Sequence, residues 1–262
     1  NFYNIKYKPT SKTYLNNEIK STNELIKWTP VNKSEYAYIV ESNDYNVPAL
    51  INGLQKKKIV VASTFKPFNI KTNGGNKSFS YGSLVIPVAN QKVSSDQIYN
   101  SIVDLQKKLE INIFSVKSGL STKGIDLGSR NIKPLKTPKV AMLIGNGVRS
   151  YEAGEVWHLL DTRVHMPITK ISLSYFNRIS LDDYNVLIMV SGNYKFDPKI
   201  TEKIKNWISK GNTLITIGTA NNWIIKNKIV KEELVVKKKD TLNKKLNRKP
   251  YVDASENYGR EK

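Results

Sequence analysis

The feature that most constrains this chain is an alternation of short, unbroken apolar runs with stretches of helical spacing. Val140-Ala141-Met142-Leu143-Ile144 and Val186-Leu187-Ile188-Met189-Val190 carry no polar residue at alternate positions. A strand of that kind is covered on both faces, as in parallel sheets sandwiched between helices. The expectation is an α/β chain of two doubly wound, flavodoxin-like parallel-sheet units.

Residues 1–30, with Lys6-Tyr7-Lys8-Pro9, read as an extended lead-in, and residues 31–135 as the first α/β unit. Its strands are expected at Tyr36-Ala37-Tyr38-Ile39-Val40, Ile59-Val60-Val61-Ala62, Leu84-Val85-Ile86-Pro87-Val88 and Ile111-Asn112-Ile113-Phe114. Pro87 cannot donate to a ladder, so it marks an edge or a strand end. Val47, Leu50, Ile51 and Leu54 keep helical spacing up to Lys56-Lys57-Lys58, which suits the negative end of a helix dipole. A second helix, capped by Ser94 or Ser95, carries Ile98, Ile102, Leu105 and Leu109. The segment around Gly74-Gly75 reads as a loop.

Residues 136–226 form the second unit. After Val140–Ile144, Gly145-Asn146-Gly147 turns the chain into a helix with Ala153, Val156, Trp157 and Leu160 on one face. Strands follow at Ile168–Leu173, Val186–Val190 and Thr213–Ile217. Asp197-Pro198 starts a helix lined by Ile200, Ile204, Trp207 and Ile208, and Gly211 ends it. Elements of the two units recur at offsets near a hundred residues, which reads as an ancient duplication with one strand order in both units. From Lys226 onward twelve Lys and Arg stand against six acids, so residues 227–262 read as a basic tail of solvated helix and loop, continuing in a parent protein.

Net charge is +20, which can attract nucleic acid or another acidic polymer. However, 36 of the 42 basic residues are Lys and only six Arg. Arg is the usual reader of phosphates and bases, so nucleic acid is an unfavoured partner. No Cys is present, which excludes disulfides, thiolate metal sites and Cys nucleophiles. The opening Asn1-Phe2-Tyr3-Asn4 reads as the start of a processed protein or an excerpt.

Ligands of open α/β sheets bind beyond the carboxyl ends of the strands. That rule selects Gly145–Ser150, Ser191–Tyr194 and Gly218–Asn222. In the first, Gly145, Asn146, Gly147, Arg149 and Ser150 make a candidate anion-binding loop before a helix, or simply a tight glycine turn. Ser191-Gly192-Asn193-Tyr194 offers polar groups but none that titrates near neutrality, and reads as an ordinary turn. Thr219 stands where a hydrolase could expose a nucleophile, although it lacks an adjacent base. Glu152, Glu155, His158 and Asp161 are spaced three apart on one helix. Glu155 and His158 could there exchange a proton or ligate a metal, or be surface groups. The expectation is no catalytic residue and no metal in this segment, with Glu155, His158 and Thr219 as weak candidates.

The stretch Val140–Asp161 reads Val-Ala-Met-Leu-Ile-Gly-Asn-Gly-Val-Arg-Ser-Tyr-Glu-Ala-Gly-Glu-Val-Trp-His-Leu-Leu-Asp, and Met166-Pro167-Ile168-Thr169-Lys170 follows. With Gly124–Ser129, Tyr184–Met189, Pro250-Tyr251 and Asp253-Ala254, it resembles the region after the catalytic domain in large bacterial zinc carboxypeptidase-like proteins. The resemblance spans most of residues 28–260 and implies that the second unit is similar in fold to class I glutamine amidotransferases. It also implies zinc in an upstream peptidase domain, which would be the partner within the same protein. Peptides or an envelope protein are further partners it implies, as is a periplasmic, cell-surface or secreted location. The family's zinc motif is His-x-x-Glu plus a distant His, whereas this chain has His158-Leu159-Leu160-Asp161. Amidotransferases use a Cys that is absent here, so glutaminase chemistry is not expected. The family pattern would continue with more strands after Tyr258-Gly259-Arg260. The favoured expectation is a non-catalytic binding or scaffolding region. A hydrolase acting at the second unit's sheet edge and a Lys-rich binder of acidic polymers are the alternatives.

Overall fold

The computed structural model describes residues 28–235. Most of the expected lead-in, the tail from residue 236 and the stretches around Pro250-Tyr251 and Asp253-Ala254 lie outside them. The chain is α/β, with mixed sheets that include a four-stranded parallel one. No helix of the described residues is long and apolar enough to cross a membrane.

The first half runs through β1 (Ala37–Val40), α1 (Val47–Lys56), β2 (Ala62–Thr64), β3 (Phe68–Thr72) and β4 (Gly75–Phe79). It continues with β5 (Leu84–Pro87), α2 (Ser95–Leu109), β6 (Phe114–Val116), β7 (Lys123–Gly124) and β8 (Ile132–Pro134). Five strands form a sheet in the order β6-β1-β5-β2-β8, and every pairing in it is antiparallel. The expected doubly wound parallel unit is therefore corrected here. The physical reason lies in what covers the sheet. Tyr38, Val40, Leu84 and Ile86 face α1 and α2, packing on Leu50, Leu54, Ile98 and Ile102. Ala37, Ile39 and Val85 face the other way, onto Phe68, Ile70 and Phe79 of a small antiparallel sheet ordered β4-β3-β7. Both faces are dry, so the strands read as continuous apolar runs without being parallel. Phe68 and Phe79 stack with ring centroids 5.3 Å apart.

The loop expected around Gly74-Gly75 is a hairpin: Thr72 pairs with Gly75, leaving Asn73-Gly74 as a two-residue turn. An Asn-Gly pair is the strongest short-range hairpin signal. Pro87 ends β5, but β5 is the central strand, so the edge reading of that proline fails and the strand-end reading stands. Ser94 caps α2 in a reciprocal box with Gln97, satisfying two otherwise orphaned amides.

The second half comprises β9 (Val140–Ile144), α3 (Ser150–His158) with a following π turn at Leu159–Arg163, β10 (Thr169–Ser172) and β11 (Val186–Met189). It ends with α4 (Pro198–Ser209), β12 (Thr213–Thr216) and α5 (Ala220–Lys226). The strands are parallel in the order β10-β9-β11-β12. In sequence terms that is second-first-third-fourth, the start of the flavodoxin-like order. Val140, Met142, Ile188 and Val190 pack under α3. Ala141, Leu143, Leu187 and Met189 pack under α4 and α5, against Ile204, Trp207 and Trp223. Asp197 caps α4 by accepting from the Ile200 N–H at 3.1 Å. Because the two sheets differ in strand order and direction, the duplication expected from the spacing of the runs is overturned.

Among the described residues the halves meet at one polar junction. Asn52 Nδ2 donates to the carbonyls of Val164 at 3.0 Å and His165 at 2.7 Å, and Lys56 Nζ donates to the His165 carbonyl. His165 is held at φ 54, a left-handed conformation uncommon for a residue with a side chain.

Candidate functional site

The order of the second sheet places its switch point between β9 and β11, whose loops depart to opposite faces. In an open doubly wound sheet this crevice receives the ligand. Here the chain's own backbone fills it. Gly145 and Gly147 take φ values of 97 and 90, which bend the loop back on itself, and Val148 N donates to Gly145 O at 3.0 Å. Val148 then bridges to Gly192. Asn193 N donates to Gly147 O at 2.7 Å, and Arg149 N to Ser191 O at 2.8 Å. A Cβ on Gly192 would come within 2.7 Å of Gly147 O, so the two loops meet this closely only with glycine there.

A side-chain clasp extends the closure across to β12. Ser191 N donates to Glu152 Oε2 at 2.9 Å, Thr219 N to Ser191 Oγ at 3.0 Å, and Gly192 N to Thr219 Oγ1 at 3.1 Å. Ser191 is buried at 3% exposure, which leaves its hydroxyl to these partners rather than to a ligand. Donation from the Ser191 hydroxyl, and then from its N–H, holds the Glu152 carboxyl below the usual range. Gly218, at φ 58, is required where it stands, because a Cβ there would land on Ser191 Oγ. Beneath the clasp the Tyr194 hydroxyl donates to Val190 O at 2.6 Å, and burial pushes its phenol upward.

Beside this closed edge a groove of about 530 Å³ remains open between α3 and β10. Met142 and Ile144 form its floor, Ala153, Gly154 and Trp157 one wall, and Lys170 the other. Parallel register sets Lys170 opposite Met142 and Ser172 opposite Ile144, so both project to the α3 face. The Lys170 ammonium lies 4.1 Å from the centroid of the Trp157 ring. A Cβ on Gly154 would meet no atom within 4 Å, so this stretch of the helix wall is bare. A second cleft of about 440 Å³ in the first half is edged by Lys33, Lys71 and Lys117. Of these, Lys33 is paired with Asp96 at 2.7 Å.

The expected ligand loop is thus divided. Gly145, Asn146, Gly147 and Ser150 line the groove, whereas Arg149 is not among its lining residues and contributes its N–H to the closure. Glu155 and His158 are exposed on α3, outside the groove, with no ion pair between them. Trp157, expected on one face with Ala153, Val156 and Leu160, is 39% exposed at the groove wall. Thr219 acts as an acceptor and donor in the clasp, with no His beside it in that network. His158 and Asp161 bring no third donor, and among the described residues no three His, Asp or Glu come together. A catalytic zinc centre uses three protein ligands, so these residues do not fit one. Sequence reasoning missed Lys170 and the Glu152–Ser191–Thr219 clasp. Both depend on register and strand order, and no local motif announces them. No protein-family model, curated protein or solved structure matches this chain.

Proposed function

We propose that the chain is a non-catalytic binding or scaffolding region of a zinc carboxypeptidase-like protein whose peptidase site lies outside it. The observation that carries this reading is the contrast at the carboxyl edge of the second sheet. The carboxylate and hydroxyls that could have served chemistry hold one another and the loops, while the adjoining groove is open and mainly apolar. A site of that kind orients and holds a ligand. The Val140–Asp161 stretch supports the zinc carboxypeptidase-like context, and with it a periplasmic, cell-surface or secreted location and an upstream peptidase domain as partner.

The test is intact mass with peptide mapping and zinc content on the natively expressed protein. The expected result is a polypeptide much larger than 29.8 kDa carrying about one zinc, as one catalytic zinc site would bind. A mature, metal-free protein of about 30 kDa would overturn the accessory reading.

A further inference from the structure

We infer that the cleft at the outer edge of β6 binds a compact sugar phosphate carrying more than one phosphate group. The site lies in the first half, apart from the groove between α3 and β10, and does not depend on a peptidase context. Strand β6 is the edge strand of the five-stranded sheet, and the turn of the small ribbon is tied to its outer side. Asn73 N donates to Ser115 O at 3.0 Å, and Ser115 N donates to Asn73 Oδ1 at 3.2 Å. This clamp sets Lys71 of β3 and Lys117, just past β6, in the walls of one cleft of about 440 Å³, with Lys33 from the segment before β1.

The charge of that cleft is unbalanced. Asp96 matches Lys33 at 2.7 Å, but among the described residues no carboxylate pairs with Lys71 or Lys117, and no Asp or Glu lines the cleft. Like charges brought together cost free energy, and an anion between them removes that cost. A phosphate monoester carries about −1.5 to −2 charge near neutrality, so two of them on one small molecule can answer several ammonium groups. A carboxylate brings a single charge. Lys serves phosphate well as a compact point charge.

The uncharged lining adds donors. Ser34 Oγ and Thr72 Oγ1 are committed to the carbonyls of Val116 at 2.6 Å and Gly75 at 2.8 Å. Asn73 spends only its Oδ1, which leaves its amide N–H groups, and the Ser118 hydroxyl accepts from Leu120 N at 3.1 Å and keeps its own proton to donate. These groups suit the hydroxyls and phosphate oxygens of a sugar phosphate. No aromatic ring lines the cleft, so a nucleobase has no surface to stack on. The volume lies within the range of small-ligand pockets.

The test is calorimetric titration of the 262-residue chain with glucose 1,6-bisphosphate, glucose 6-phosphate, glucose, inorganic phosphate and heparin. The bisphosphate is expected to bind roughly tenfold tighter than the monophosphate, the size of an added charge-assisted contact, and glucose not to bind. Lys71→Gln and Lys117→Gln should each weaken the bisphosphate roughly tenfold while the thermal melt is retained, because both side chains are exposed. Lys199→Gln removes the same charge from the exposed start of α4 and should leave the affinity unchanged. No binding of the bisphosphate, equal binding of bisphosphate and monophosphate, or a loss in Lys199→Gln as large as in Lys71→Gln would each overturn the inference. Inorganic phosphate binding as tightly as the bisphosphate would overturn its sugar part. Heparin binding that Lys71→Gln weakens, with the bisphosphate unbound, would replace the compact ligand by an acidic polymer. None of these results touches the mass and zinc measurement, so the two readings fail separately.

Discussion

The two sheets are written in the same kind of apolar run and are built in opposite ways. Val140–Ile144 lies in a parallel sheet between helices, while Tyr38–Val40 lies in an antiparallel sheet with helices on one face and a three-stranded ribbon on the other. What the runs report is burial on both faces. Strand direction is set by the connections, which are helical crossovers throughout the second half and partly a hairpin in the first. Among the described residues a single polar junction at Asn52, Lys56 and His165 joins the layers, and no described helix or strand of one packs broadly on an element of the other. Each layer is therefore expected to keep its own stability.

The largest effect tests that separation. Leu50 and Leu187 are both fully buried, one in each core, and replacing either by Ala should cost about 2–5 kcal/mol. In a denaturant melt followed by far-UV circular dichroism, Leu50→Ala should move one transition and Leu187→Ala the other. A single transition moved equally by both variants would break the comparison and make the layers one cooperative unit.

A smaller loss is expected at the closed edge of the second sheet. Gly218→Ala forces a side chain into φ 58 and onto Ser191, at about 2–4 kcal/mol from left-handed strain and overpacking together. The urea midpoint should fall only in the transition that carries the second layer.

The smallest effect is pH-dependent. The Glu152 carboxyl is held below its ordinary value by Ser191, so the folded state binds its proton more weakly than the unfolded chain does. Its stabilisation is present above the unfolded carboxyl pKa and is lost as pH falls through the depressed folded value. Glu152→Gln should accordingly lower the melting temperature at neutral pH, and the gap to the native chain should close in acid. A gap that persists unchanged below the ordinary carboxyl range would show that the carboxylate contributes no charge-dependent stability.

Much of the second layer was legible along the chain. Val140–Ile144 and the Asp197-Pro198 helix start are local signals, and each element forms where its signal lies. The small ribbon was not recognised, although Asn73-Gly74 between Thr72 and Gly75 carries a hairpin signal. Strands β3 and β4 mix Asn, Lys and Ser with apolar residues, which hides them from a search for apolar runs. The candidate site was legible only in part. Glycines at 145 and 147 mark a tight turn, but whether a turn receives a ligand depends on what faces it across the sheet.

The sequence by itself determined the main helices, the caps at Ser94 and Asp197 and the buried runs around Ile39, Met142 and Ile188, because these depend on neighbours within a few residues. Only the tertiary structure decided strand direction, the closure of the switch-point crevice and the pairing of Trp157 with Lys170 across the groove. Those depend on register between strands far apart in the chain. Shifting a strand by one residue moves every side chain to the opposite face, so no local pattern can place Lys170 beside Trp157.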